Sequence, residues 1–76
     1  DDHEQMILDF AAVVAEAAAV SNAALAGDLD EARFRANLLA SRADNAGLSK
    51  VAAAAADLVL TLALLGRSLD PVTAPT

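Results

Sequence analysis

The sequence contains no cysteine, tryptophan or tyrosine, one histidine, two prolines, three glycines and only five basic residues. Each shortage closes off a class of function. Without cysteine there is no disulfide, no thiol nucleophile and no thiolate metal site, and the redox compartment stays open. The single histidine, His3, stands almost at the N-terminus with no second histidine to share a metal, so neither a zinc site nor a Ser-His-Asp triad can be assembled. No glycine-rich phosphate loop is present. Nothing in the chain asks for a metal or a cofactor, and enzyme chemistry is not expected. Five basic against eleven acidic residues leave a net charge of −6, which argues against nucleic acid and against anionic membrane, since both need a cationic footprint. No cationic stretch leading into an apolar run opens the chain, so the expected location is cytoplasmic.

What remains is aliphatic. The 76 residues suffice for one domain, and 57% of them are hydrophobic, mostly alanine, leucine and valine, a mixture that favours helix in sum. A chain this small buries only about 60% of its unfolded surface. Small side chains add little area each, so the core should be thin and a second subunit is expected to supply what is missing; a homodimer is the simplest form.

Three helices are expected, over Asp2–Ala26, Leu29–Ala46 and Lys50–Leu65, each stopping at or just before a glycine. In the first, Asp2 and Gln5 form a capping pair, and Ile7, Phe10, Val14, Ala17 and Ala24 make the core-facing stripe, widened by Val13 and Leu25. In the third, Ser49 is the expected cap and Gly66 the stop. Between Lys50 and Arg67 its only charge is Asp57, and those sixteen residues are fewer than the roughly twenty that a membrane span needs. A helix apolar nearly all round is normally central, so Val59, Leu60, Leu62, Leu64 and Leu65 imply a fourth helix or a partner subunit. Residues 1–67 form the bundle domain and 68–76 a tail, or the stub of an absent fourth helix begun at Asp70-Pro71. Short connections make neighbouring helices antiparallel, giving an all-α up-and-down bundle.

The second helix carries the most information. Asp28 is its cap, with Glu31 three residues on as reciprocal partner. At 100° per residue, Leu29, Ala32, Ala36, Leu39, Ala43 and Ala46 share one face, and Arg33, Asn37, Ser41 and Asp44 share another at steps of four, four and three. The segment AGDLDEARFRANLLASRADNAGLSKVAAAAADL resembles the central hairpin of histidine-containing phosphotransfer (HPt) domains, the four-helix relays of two-component signalling. That family carries an acidic Gly-Asp turn and then His-x-Leu-Lys-Gly, with a further glycine six residues later. On this chain the frame puts Asn37 at the histidine, Leu39 at the leucine, Ala40 at the lysine, Ser41 at the first glycine and Gly47 at the last. Asn45 also falls where the family often has asparagine.

The frame matches and the chemistry does not. A phosphoryl acceptor needs the imidazole lone pair, and the nitrogen of a carboxamide is delocalised into its carbonyl. Ala40 also lacks the cation that would balance phosphate. The resemblance therefore implies a non-catalytic docking module that binds a response-regulator receiver domain through Arg33, Asn37, Ser41 and Asp44 without phosphotransfer. The residues alone allow that stripe to be a solvated face on a structural oligomerisation domain, with Leu60, Leu64 and the pair Phe34 and Leu38 as interface. His3 followed by Glu4 reads as an exposed helix start, or as the phosphoacceptor of a functional relay.

Overall fold

The computed structural model describes residues 2–69 and consists of three α-helices, α1 (Asp2–Leu25), α2 (Leu29–Asn45) and α3 (Ser49–Leu69), with no strand among the described residues. Both turns are built alike. Gly27 and Gly47 adopt left-handed φ values of 76° and 77°, a region open to glycine because it has no Cβ to clash with the following carbonyl. Each glycine lets two backbone N–H groups fold back onto the helix just ended. Asp28 N–H donates to Ala23 O at 2.9 Å and Gly27 N–H to Ala24 O at 3.0 Å; Leu48 N–H donates to Ala43 O at 2.8 Å and Gly47 N–H to Asp44 O at 3.1 Å. These paired bonds satisfy carbonyls that a helix end would otherwise leave open, and they reverse the chain within three residues.

The next helix then starts at once. Asp28 accepts from Glu31 N–H at 3.1 Å, as a capping carboxylate should. The reciprocal half of the expected box does not form, because the Asp28 N–H is already used by the turn and the Glu31 carboxylate turns forward to Arg35 Nε at 3.0 Å. The same happens in α1, where Asp2 lies within the helix and Gln5 donates forward to Asp9 at 2.9 Å. Ser49 is not the cap of α3 but its first helical residue; the carbonyl of Leu48 accepts the first bond, from Ala52 N–H at 2.9 Å. Leu48 instead packs against the core, the apolar contact that commonly accompanies this type of helix end.

α2 is the middle element: α1 and α3 both pack on it, and among the described residues they do not touch each other. Its buried face is the expected one. Ala32, Ala36 and Ala43 are 0% exposed and Leu39 is buried, while Leu29 and Ala46 are half-buried against them. Three alanines at the centre let both neighbours approach closely, and Val13, Val20 and Ala23 from α1 with Ala55 and Leu62 from α3 complete the core. Among the described residues no large side chain is fully buried, so the core is thin, as the composition implies.

Two expectations are corrected. The stripe expected to face the core from α1, namely Ile7, Phe10, Val14, Ala17 and Ala24, is exposed throughout; of the two residues expected to widen it, Leu25 is 87% exposed and Val13 is buried as expected, together with Glu16, Val20 and Ala23. α1 is apolar on several sides, so hydrophobicity did not single out a face, and the buried one is that on which Glu16 meets arginines of α2. α3 does not stop at Leu65. It continues through Gly66, whose φ is not positive, to Leu69, so the tail boundary at 68 falls inside the helix. Glycine costs only about 1 kcal/mol within a helix, too little to end one. The helix start expected at Asp70-Pro71 lies outside the described residues.

Candidate functional site

The expected docking residues all stand on the outer side of α2. Arg33, Asn37, Ser41 and Asp44 are exposed, along the face turned away from the alanine core. Their helix is held at both ends, by the Asp28 cap and by the Gly47 turn, so the four side chains keep fixed relative positions. Arg33 reaches Asp30 at 3.9 Å across a solvent-exposed gap, a pair that contributes at most about 1 kcal/mol. Beside Arg33 the surface dips into a cleft of about 350 Å³ lined also by Leu29, Asp30, Leu62, Ala63, Gly66 and Arg67. Ala40, at the position of the family's lysine, is half-buried and packs against the core, so a longer side chain there would have to bend outward along the helix surface.

The interface candidates separate. Phe34 is exposed, with the Arg35 guanidinium 5.8 Å above its ring, whereas Leu38 is half-buried. On α3, Leu60 and Leu64 are 65% and 60% exposed. His3 lies exposed in the first turn of α1. Among the described residues no three His, Cys, Asp or Glu side chains gather as a metal site would require.

A second polar cluster was not anticipated from the sequence. Glu16 is the one buried charged residue among those described, and its Oε1 faces Arg42 Nε at 3.5 Å and an Arg35 terminal nitrogen at 3.7 Å. Its other oxygen, Oε2, is buried with no hydrogen-bond partner. Arg35 is thus shared between Glu31 and Glu16, and its guanidinium is held above its ordinary range, first by the hydrogen bond to Glu31, then by the charge of that carboxylate, with Glu16 adding. The signal was present: one acid in the apolar middle of α1 and two arginines seven residues apart on α2, which is two helical turns. It fixes α1 against α2 and leaves the stripe on the other side.

Both α1 and residues 49–68 are long and apolar enough to cross a membrane, so the sixteen-residue count no longer argues against a span in α3. Charge does. α2 packs along both helices and carries Asp30, Glu31, Arg33, Arg35, Arg42 and Asp44, and each such charge costs about 2.5–3.5 kcal/mol near the centre of a bilayer.

A guanidinium, a carboxamide, a hydroxyl and a carboxylate thus share one exposed line on α2. Set against known proteins, the chain matches no family model, no curated protein and no solved structure.

Proposed function

We propose that this chain is a non-enzymatic helical assembly module in which α1 and α3 carry the self-association surfaces and α2 holds the fold together. One observation carries the reading. Among the described residues no large side chain is fully buried, yet Met6, Ile7, Leu8, Phe10 and Val14 on α1 and Val51, Leu60, Leu64 and Leu65 on α3 are exposed. Two helices that meet only a third between them cannot cover those side chains, and a cluster of this size on a soluble domain marks a contact surface. A second copy supplies matching apolar area at no cost in specificity, because a two-fold contact is self-complementary. The test is Leu60→Asp with Leu64→Asp, followed by light scattering and circular dichroism. Both positions are exposed within one chain, so the variant keeps its helical signal and loses association; a variant that stays associated places the interface elsewhere.

A second reading concerns the stripe, and it is favoured by the joint exposure of Arg33, Asn37, Ser41 and Asp44 on a helix capped at both ends. Here the module docks a response-regulator receiver domain, with Asn37 near the receiver's phosphorylated aspartate and no phosphoryl transfer. Ser41 stands one turn beyond Asn37, so Ser41→Arg blocks the approach and abolishes binding to a receiver panel while leaving the melting temperature nearly unchanged. Asn37→His with Ala40→Lys returns a nucleophile and a cation, and transfer from a phosphorylated receiver then supports the HPt frame. If that variant folds but neither binds nor accepts phosphate, the stripe is a solvated face.

A further inference from the structure

The face of α1 that meets α2 does not end where α2 ends. α1 has 24 residues and α2 has 17, and the Gly27 turn joins them at one end, so at the other the first two turns of α1 run about 10 Å past Asn45. Every residue from Asp2 to Leu8 is exposed. Between this overhang and the Gly47 turn lies a cleft of about 340 Å³, walled by Gln5, Met6, Asp9 and Phe10 on one side and by Ala46 and Leu48 on the other, with Asp2 added from the first turn. Its apolar surface comes from Met6, Phe10, Ala46 and Leu48, and no basic side chain lines it.

The fold itself shows what this face accepts. Asp2, Asp9 and Glu16 follow one another at steps of seven, so they lie close to one line along α1. On the covered part of that line Glu16 receives Arg42 at 3.5 Å and Arg35 at 3.7 Å, themselves seven apart on α2, beside Val13, Val20 and Ala23. On the uncovered part Asp9 accepts from Gln5 of its own helix at 2.9 Å. Arg42 shares a smaller hollow with Asp9, but its Nε is turned to Glu16.

We propose that the cleft is a docking site for a basic, amphipathic helix of another protein, laid in line with α2. It presents an arginine or lysine to Asp9 and an aliphatic side chain to Met6, Phe10 and Leu48. A second copy fits less well. It brings the same net charge of −6, its Arg33, Arg35 and Arg42 are paired on α2, and Arg67 is engaged too, which leaves Lys50 as its one basic side chain to offer. Residues 70–76 contain no basic residue. Ile7 and Val14 lie outside the cleft and remain for self-association.

The probe is a fluorescein-labelled alanine-leucine helix with arginines at steps of seven, titrated with the full chain and followed by anisotropy. A control peptide carries glutamate at those positions. The arginine peptide should bind saturably, and Asp2→Asn with Asp9→Asn should weaken it roughly tenfold without changing the helical signal, as should added salt. Binding of both peptides alike, of neither, or undiminished by the double substitution overturns the proposal. So does a double variant that loses self-association in sedimentation while peptide binding is unchanged, which would give the cleft to a second copy. The Leu60→Asp, Leu64→Asp chain should bind the arginine peptide as the unmodified chain does, which separates this site from the assembly surface; binding lost there places the peptide on α3 and overturns the assignment.

Discussion

α1 and α2 differ in how far their sequences determine the face they bury. In α2, charged and polar side chains oppose the apolar ones, so only the face of Ala32, Ala36, Leu39 and Ala43 could go inward, and it did. In α1 almost every side is apolar, and the helix turned to bury Glu16 against Arg35 and Arg42 while leaving Phe10 56% exposed. Periodicity selects a face only where polar residues forbid the others. Where they do not, other contacts decide, and in α1 the buried face is the one on which Glu16 meets Arg35 and Arg42.

The largest effects expected from this contrast lie on α2. Ala43→Leu adds three carbons at a position with no exposure, between two helices already in contact, and should lower unfolding stability by about 1–3 kcal/mol in chemical denaturation. Phe10→Ser on α1 removes a far larger apolar group, yet within one chain it should change stability by no more than about 0.5 kcal/mol, its effect appearing in self-association. A large loss from Phe10→Ser under monomeric conditions would mean that α1 buries the other face after all.

Next comes the ion cluster. Glu16→Ala leaves Arg35 and Arg42 without their shared carboxylate and should cost about 1–2 kcal/mol, reduced because both guanidinium groups are partly in solvent. Glu16→Leu keeps the volume but leaves the same two guanidinium groups without that carboxylate, so if charge orients α1 it should cost about as much. A loss from Glu16→Ala that Glu16→Leu does not share would show that packing rather than charge orients α1.

The glycines give a smaller pair of opposite sign. Gly47→Ala forces a Cβ into a left-handed turn and should cost about 1 kcal/mol, while Gly66→Ala, inside α3 with open space around it, should gain up to about 1 kcal/mol. Thermal unfolding of the two variants separates a glycine that the turn requires from one that the helix merely tolerates. At the low end, Ser41→Arg should leave stability within about 0.5 kcal/mol, so any loss of partner binding it causes is a surface effect.

The three helices, both glycine turns and the Asp28 cap were legible in the sequence because each rests on chemistry local to a few residues. The exposed line Arg33, Asn37, Ser41 and Asp44 was legible for the same reason: it needed only the helical period and one correctly placed cap. The orientation of α1 was not, since it depends on arginines some twenty residues away in sequence. The end of α3 was misread because Gly66 resembles Gly27 and Gly47 in sequence, and only the turn following those two demands a positive φ. The reciprocal capping contacts failed where Glu31 and Gln5 had a better partner one turn ahead.

The central claim, that a second copy covers the exposed faces of α1 and α3, is tested most directly by sedimentation equilibrium of the unmodified chain over a dilution series. The account predicts a species of twice the chain mass that dissociates on dilution. A single species of one chain mass at every concentration, with the helical signal intact, would contradict it.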